Sequence, residues 1–274
     1  MNVSGVDLFL ARAGAIGGSL YREFPPAGDL REFVACTWVS IVRRAAGAGA
    51  VNAILPDGCA DIMVYDDHPP RVAGPDAVTR WTQVQDGLTI TAIRLRPGAC
   101  RAVLGCPAER LVGGSLLLAD IAPGARTLHR QLLASGSLPG RLELLEAWVR
   151  GALHGASDAD RAVIAACRQL GPESILPIGE VARRLDWNVR TLHRQFLGAC
   201  GYGPKHLQRI MRLNGAIRAA QGMAAPRLGD LAAAAGYADQ AHMTRDFRDI
   251  AGLTPAAYFS DPAQSGWGAW LDEW

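Results

Sequence analysis

The sequence predicts an α+β protein with a β-rich, barrel- or sandwich-like N-terminal domain, a helical linker and an all-α C-terminal domain. Three observations support this prediction: short β-branched runs fill the first half, helical apolar spacing begins near Arg141, and a helical unit repeats in the last third. The 274 residues are enough for two domains, because a typical domain has roughly 100–150 residues. We expect boundaries at 1–138, 139–171 and 172–260, followed by a Trp-rich tail at 261–274.

The first half contains short β-branched and aromatic runs separated by Pro and Gly turn signals, such as Pro56-Asp57-Gly58 and Pro97-Gly98. Short strands with frequent turns predict a compact barrel or sandwich. The predicted strands are 32–42 (EFVACTWVSIV), 51–55, 61–65 and 88–95 (LTITAIRL).

Helical spacing of apolar residues begins at Arg141. The segment 141–153 (RLELLEAWVRGAL) places Leu142 and Leu145 on one face, and a second helix is predicted at about 158–170. The wide apolar face of the first helix has two interpretations: it packs on its own β-domain, or it pairs with a second copy across a dimer axis. Gly171-Pro172 is the expected boundary to the C-terminal domain.

The last third contains an internal repeat. GEVA at 179–182 recurs as GDLA at 229–232, 50 positions later, and the following residues recur 51 positions later, so one residue is gained at the intervening turn. The equivalent pairs at the larger offset are Leu192/Met243, Arg194/Arg245, Phe196/Phe247, Gly201/Gly252 and Pro204/Pro255.

Each copy predicts a helix-turn-helix, two helices joined by a short turn. In the first copy a helix at 178–185 is followed by a helix at 189–198 with Asn188 as its N-cap. In the second copy a helix at 228–235 is followed by one capped by Asp239. A helix with polar tips fits the major groove of DNA. The helix at about 205–221 would separate the two recognition helices, which we expect about 34 Å apart.

These residues carry a family resemblance. LPIGEVARRLDWNVRTLHRQFLGACGYGPKHLQRIMRL, followed by LGDLAAAAGYADQAHMTRDFRDIAGLTPAAYF, resembles the double helix-turn-helix domain of AraC-type transcriptional regulators. More loosely, PPAGDLREFVACTW, ILPDGCADIMV and IRLRPGACRAVLG resemble the N-terminal sensing domain of a subset of that family. The resemblance implies a cytoplasmic regulator that binds operator double-stranded DNA and a small-molecule effector. It also implies a homodimer and a contact with RNA polymerase.

In the family, outward residues of both recognition helices meet the DNA bases. Two residues depart from the family pattern, since Asp186 stands where the turn usually has glycine and Ala241 stands where the family often has a polar residue. Asp186 therefore predicts a slightly strained or differently angled first turn. Carried onto this sequence, the DNA-binding residues are Arg190, His193 and Arg194 in the first helix, and Gln240, His242 and Arg245 in the second.

Other interpretations of these residues remain open. The arginines could be solvated surface residues, the two histidines could be spectators or phosphate contacts, and Gln240 could belong to a capping box. The tandem helices could also dock a protein partner, in a small-molecule-binding protein that never engages DNA.

Candidate effector-binding residues in the N-terminal domain also have structural alternatives. The sequence around Asp57 is most simply a turn, the tryptophans could be core residues, and Arg94 and Arg96, on one side of a strand, could pair with surface acids. The candidates are Trp38, Asp57, Cys59, Trp81 and Arg96.

Composition narrows the function classes. No stretch approaches the roughly 18 apolar residues of a membrane span, and the six cysteines form no CxxC pair, so we expect reduced thiols, no metal and no cofactor. The sequence shows no arrangement of a nucleophile and a base that would indicate an enzyme. Residues 171–260 hold 11 Lys+Arg against 7 Asp+Glu, so the modest positive excess of the chain lies in its C-terminal third. The tail stripe of Trp267, Trp270 and Trp274 predicts docking at the interdomain cleft, or an ordinary patch filler or disordered end.

Overall fold

The N-terminal half is an antiparallel β-structure in the computed structural model, which describes residues 14–16, 19–42, 51–83, 86–171, 176–220, 223 and 226–260. The described strands are β1 (Gly14–Ile16), β2 (Ser19–Phe24), β3 (Val34–Ile41), β4 (Val51–Ile54), β5 (Ala60–Tyr65), β6 (Arg71–Ala73), β7 (Arg80–Gln83), β8 (Thr89–Leu95) and β9 (Ser115–Leu117). Seven of them form one sheet in the order β1-β2-β3-β8-β5-β6-β9, and β4 pairs with β7.

The four strands predicted from the sequence correspond to β3, β4, β5 and β8. The sequence analysis missed the remaining strands, of which β1, β6 and β9 have three residues each and contain too few apolar–polar alternations to show a period. The α+β class with a sheet-rich N-terminal domain is confirmed.

The two faces of the large sheet belong to different cores, because successive strand side chains point to opposite sides. On one face, Ile62 and Ile93 join a buried cluster that includes residues of the neighbouring helices. On the other face, Trp38, Met63 and Ala92 form a smaller apolar cluster. This second face also carries the charged side chains described below.

Helices cover the first of these faces. They are α1 (Cys100–Leu104), α2 (Ala125–Ala134) and α3 (Leu138–Ala152), and α4 (Asp158–Gln169) follows them toward the C-terminal domain. Helix α3 begins three residues before the predicted start, because the Ser137 side chain caps it by accepting from the Gly140 N–H at 3.2 Å. Its Leu142 packs with Val39, and its Leu145 lies in the larger sheet core. The side of α3 that carries Leu142 and Leu145 therefore packs on its own β-domain, and pairing of this helix across a dimer axis stays a prediction.

The C-terminal domain consists of the two predicted helical units and the helix between them. The first unit is α5 (Ile178–Arg184) and α6 (Val189–Cys200), and α7 (Pro204–Ala220) connects it to the second, α8 (Leu228–Ala234) and α9 (Gln240–Asp246). One π-helical turn, Phe247–Ala251, extends α9, and α10 (Pro255–Ser260) follows. One buried core unites both units around α7.

The Trp-rich tail lies outside the described residues. Within the described part, every helix is too short or too polar to cross a bilayer.

Candidate nucleic-acid interface and its connection to the N-terminal domain

Helix α6 presents a buried side and an exposed side. Its N-cap is Asn188, whose side chain accepts from the Thr191 N–H at 2.8 Å, as predicted. Leu192 and Phe196, four residues apart, are fully buried. The opposite side is exposed and carries the three predicted DNA-binding residues of this helix, Arg190, His193 and Arg194.

The ring of His193 lies close to the backbone of the following turn. A Cβ atom built on Gly203 would come within 2.6 Å of His193 Nε2. A side chain at position 203 would therefore displace the exposed His193 ring from this position.

Helix α9 repeats this arrangement. Asp239 accepts from the His242 N–H at 2.6 Å and is the N-cap, so Gln240 is the first helical residue. Met243 and Phe247 are fully buried, while Gln240 and Arg245 are exposed. The exposed ends of Gln240 and Arg245 thus lie on the side away from the core.

His242 is only half-buried and has a ring partner. Its imidazole meets Tyr237 edge-on, with ring centroids 5.2 Å apart and an interplanar angle of 84°. This contact restricts the imidazole, so His242 has less freedom than Arg245 to reach an external group.

The turns of the two units have the same hydrogen bonds although their sequences differ. Trp187 N donates to Ala182 O at 2.9 Å, and Tyr237 N donates to Ala232 O at the same distance. Asp186 has φ +56° where Gly236 has φ +73°. The unusual Asp186 therefore preserves the hydrogen bond of the turn but adopts a left-handed backbone conformation that costs energy for a residue with a Cβ.

The N-terminal domain contacts the helix between the units. Asn214, which is 3% exposed on α7, donates its amide to Pro56 O at 2.8 Å. His206 Nε2 lies 2.8 Å from Ala77 O. Gly58, at φ +81°, leaves room for α7, because a Cβ there would lie 2.8 Å from Leu207 Cδ1. The predicted turn at 56–58 is thus an interdomain contact as well as a turn.

The end of the second recognition helix also meets the N-terminal domain. Thr79 N donates to Ile250 O at 2.8 Å, and the Thr79 hydroxyl donates to the same carbonyl at 3.1 Å. Ile250 lies in the π-helical turn after α9. The N-terminal domain therefore contacts both the connecting helix and the end of the second unit.

The second face of the large sheet carries a charged cluster around Arg94, which we name the Arg94 cluster (Glu23, Trp38, Asp57, Asp61 and Arg94). Arg94 Nε donates to Asp61 Oδ1 at 3.0 Å, and Trp38 Nε1 donates to the same oxygen at 2.8 Å. Arg94 Nη1 also lies 3.7 Å from Glu23 Oε1 and 3.8 Å from Asp57 Oδ2. One guanidinium thus meets three carboxylates.

Burial and the neighbouring charges shift the pKa values of this cluster in opposite directions. Burial lowers the pKa of Arg94, but the neighbouring carboxylates, Asp61 first, hold that pKa well above its usual value. Burial raises the pKa of Asp57, and Arg94 offsets only part of that rise. Burial also raises the pKa of the Cys59 thiol, so Cys59 is not the reactive thiolate that thiol chemistry requires.

Of the predicted effector-binding residues, the structure brings Trp38, Asp57 and Cys59 together. The other two candidates lie outside this group and stay predictions. Trp81 lies on β7 with 53% of its surface exposed, and Arg96 lies beyond the end of β8, where its Nε donates to Arg31 O at 2.9 Å. The cluster also contains Glu23, Asp61 and Arg94, which are not among the predicted effector-binding residues.

The cysteines form no disulfide in the described structure, where all six are free. Cys167 Sγ and Cys200 Sγ lie 3.5 Å apart between α4 and α6. Among the described residues, no group of three or more His, Cys, Asp or Glu side chains is arranged to hold a metal ion.

Comparisons with known proteins identify both domains. Residues 181–261 match a family described as a helix-turn-helix domain, of the AraC type, and residues 22–116 match a domain of unknown function (DUF6597). No curated protein matches the chain at a significant level.

Solved structures of ToxT from Vibrio cholerae show only a low likeness. The O395 structure is 10% identical over 89% of this chain and 97% of that chain, with a TM-score of 0.38. The structure with a bound unsaturated fatty acid is 10% identical over 80% and 97%, with a TM-score of 0.39. The structure with (E)-4-(8-methylnaphthalen-1-yl)but-3-enoic acid is 11% identical over 88% and 97%, with a TM-score of 0.40. The assignment therefore rests on the family models: the chain carries an AraC-type helix-turn-helix domain behind an N-terminal DUF6597 domain.

Proposed function

We propose that the protein is a sequence-specific DNA-binding transcription regulator whose operator binding is modulated by a small molecule held in the N-terminal domain. The observation that carries this proposal is the pair of equivalent helices α6 and α9. Each begins at a side-chain N-cap, buries two apolar residues four positions apart and leaves an arginine, Arg194 or Arg245, exposed at the same point of the repeat.

The exposed side chains have the chemistry of base recognition. In the major groove, arginine donates two hydrogen bonds to guanine O6 and N7, and glutamine pairs with adenine N6 and N7. Arg190, Arg194 and Arg245 would take the first role and Gln240 the second. The His242 ring packs against Tyr237, which favours a phosphate or single base contact by this residue, and we assign the same role to the equivalent His193 of the first unit.

The effector would bind at the Arg94 cluster and act through the turn at 56–58. Asp57 belongs to this cluster, and its neighbours Pro56 and Gly58 contact α7. A ligand that changes the pairing of Asp57 with Arg94 would therefore act on the helix that separates the recognition helices. The response would be a shift between two populations with different operator affinity.

Fluorescence anisotropy tests whether the protein binds DNA. The probe is DNA from the region upstream of the protein's own gene, and binding is measured at two salt concentrations. Arg194→Ala and Arg245→Ala should each weaken binding by about 1–3 kcal/mol, or roughly 5- to 150-fold in Kd. Arg126→Ala, at an exposed position of α2 in the N-terminal domain, is the matched control and should leave Kd unchanged.

Two results would contradict the proposal. Wild-type protein that binds none of this DNA would favour the alternative, in which the helical domain docks a protein partner. Equal losses for all three variants would mean that the recognition helices do not read bases.

A homodimer and a contact with RNA polymerase stay predictions. Leu142 and Leu145 of α3 lie against the chain's own sheet, so a dimer would use a surface other than these two side chains. Sedimentation velocity with and without operator DNA measures whether the protein is a homodimer.

A further inference from the structure

Equivalent positions of the two recognition helices have different partners. In the second unit, Asp246 is 3% exposed and accepts from Arg209 Nε at 2.8 Å. Arg209 lies on α7, within the same domain. In the first unit the residue 51 positions earlier is Gln195, and its Oε1 accepts from Arg101 Nη2 at 2.9 Å. Arg101 lies on α1, in the N-terminal domain. The partner of one recognition helix is internal, and that of the other crosses the domain boundary.

Arg101 is itself held in place. Its Nε donates to Asp160 Oδ1 at 2.6 Å, and Asp160 has only 8% of its side chain exposed. The other Asp160 oxygen accepts from the backbone N–H and hydroxyl of Ser157, at the start of α4. One guanidinium thus connects α1, α4 and α6, and its planar fork suits this because it donates in two fixed directions.

The guanidinium also lies directly against the backbone of the first recognition helix. A Cβ atom built on Gly198 would lie 3.0 Å from Arg101 Nη1. Gly198 thus leaves the space that Arg101 occupies, one helical turn beyond Arg194. Because Gln195 follows Arg194 directly, a bond that holds Gln195 also sets the rotation of the helix that aims Arg194.

We propose that Arg101 is a positioning residue that fixes the orientation of the first recognition helix relative to the N-terminal domain. A change that moves Arg101 then alters the first recognition helix, while Asp246 of the second recognition helix keeps its internal Arg209 partner. This inference rests on the proposed function for its DNA consequence, but the connection itself does not require DNA.

Hydrogen exchange tests the connection without DNA. Arg101→Ala and Gln195→Ala should each speed amide exchange in residues 189–200 by fivefold or more and leave residues 240–251 unchanged, since coupling free energies between sites typically correspond to 5- to 150-fold effects. The double variant should be no faster than Arg101→Ala, because Arg101→Ala already removes the bond to Gln195. Arg101→Lys keeps a positive charge for Asp160 but lacks the planar fork that reaches Gln195. This variant should therefore show the same fast exchange in residues 189–200 as Arg101→Ala, with a wild-type circular dichroism spectrum.

Arg209→Ala is the equivalent variant for the second unit and serves as the control. It should speed amide exchange in residues 240–251 and leave exchange in residues 189–200 unchanged. Equal acceleration of both helices by Arg101→Ala, no acceleration of either, or additive single variants would overturn the proposal.

Footprinting on operator DNA tests the consequence. Arg101→Ala should weaken protection over the half-site of the first unit by fivefold or more relative to the second half-site. Equal weakening of both half-sites would overturn the selective role of Arg101. If the wild-type protein protects no DNA, the proposed function fails, and the exchange experiment still decides whether Arg101 holds α6.

Discussion

Replacing Gly201 and Gly252 by alanine provides a matched test of how the first unit contacts the N-terminal domain. Both glycines end a recognition helix at equivalent positions, with φ +81° and +74°. Alanine at either position must adopt a left-handed backbone, which costs about 1–2 kcal/mol, and a stiffer unfolded chain offsets about 0.4–1 kcal/mol of this. The backbone effect alone therefore predicts a loss of about 1 kcal/mol in the free energy of unfolding for each variant.

The surroundings of the two glycines differ. A Cβ at Gly252 meets no atom within 4 Å, whereas a Cβ at Gly201 would lie 2.3 Å from Val112 Cγ2 and 3.2 Å from Ala108 O. Forcing an extra methyl into a packed contact costs about 1–3 kcal/mol. We therefore expect Gly201→Ala to lose about 2–4 kcal/mol in total, against about 1 kcal/mol for Gly252→Ala.

Urea unfolding followed by far-UV circular dichroism measures both losses, and hydrogen exchange locates them. Gly201→Ala should speed exchange near Ala108 and Val112, because those residues must move to admit the methyl. Losses that agree within about 0.5 kcal/mol would refute the reasoning, since they would leave only the backbone cost that the two positions share.

Two further predictions concern single aspartates. Asp186→Gly should raise the free energy of unfolding by up to about 1 kcal/mol, because glycine adopts the positive φ of this turn without a Cβ; a loss in urea unfolding would contradict this. For Asp57, burial raises the folded-state pKa, so its stabilising contribution is full below the unfolded pKa of about 3.9 and is lost as pH rises through the folded value. The melting temperature of Asp57→Asn minus that of the wild type should therefore increase from pH 4 to pH 7. A difference that stays constant over this range would refute the prediction.

The recognition units could be predicted closely because their signals are local. Predicted helices at 178–185 and 228–235 end one residue from the observed ends, and the predicted caps Asn188 and Asp239 both form. An N-cap and an apolar pair at i, i+4 depend on residues within one or two turns.

The charged cluster of the N-terminal domain could not be predicted in this way. Asp61 and Arg94 are direct partners across β5 and β8, and Glu23 and Trp38 are direct partners across β2 and β3. These residues are far apart in the chain, and only the strand order places them together. The separation of Trp81 from this cluster could not be predicted for the same reason, since its strand pairs with β4 outside the large sheet.

The sequence by itself determined the repeat, the caps and the side of each recognition helix that faces outward, because these follow from helical periodicity and from hydrogen bonds between near neighbours. Only the tertiary structure decided which partner holds each equivalent helix. Gln195 and Asp246 occupy the same place in the repeat, yet one meets Arg101 of the N-terminal domain and the other meets Arg209 of the connecting helix. Such contacts depend on how separate segments pack, which no local pattern contains.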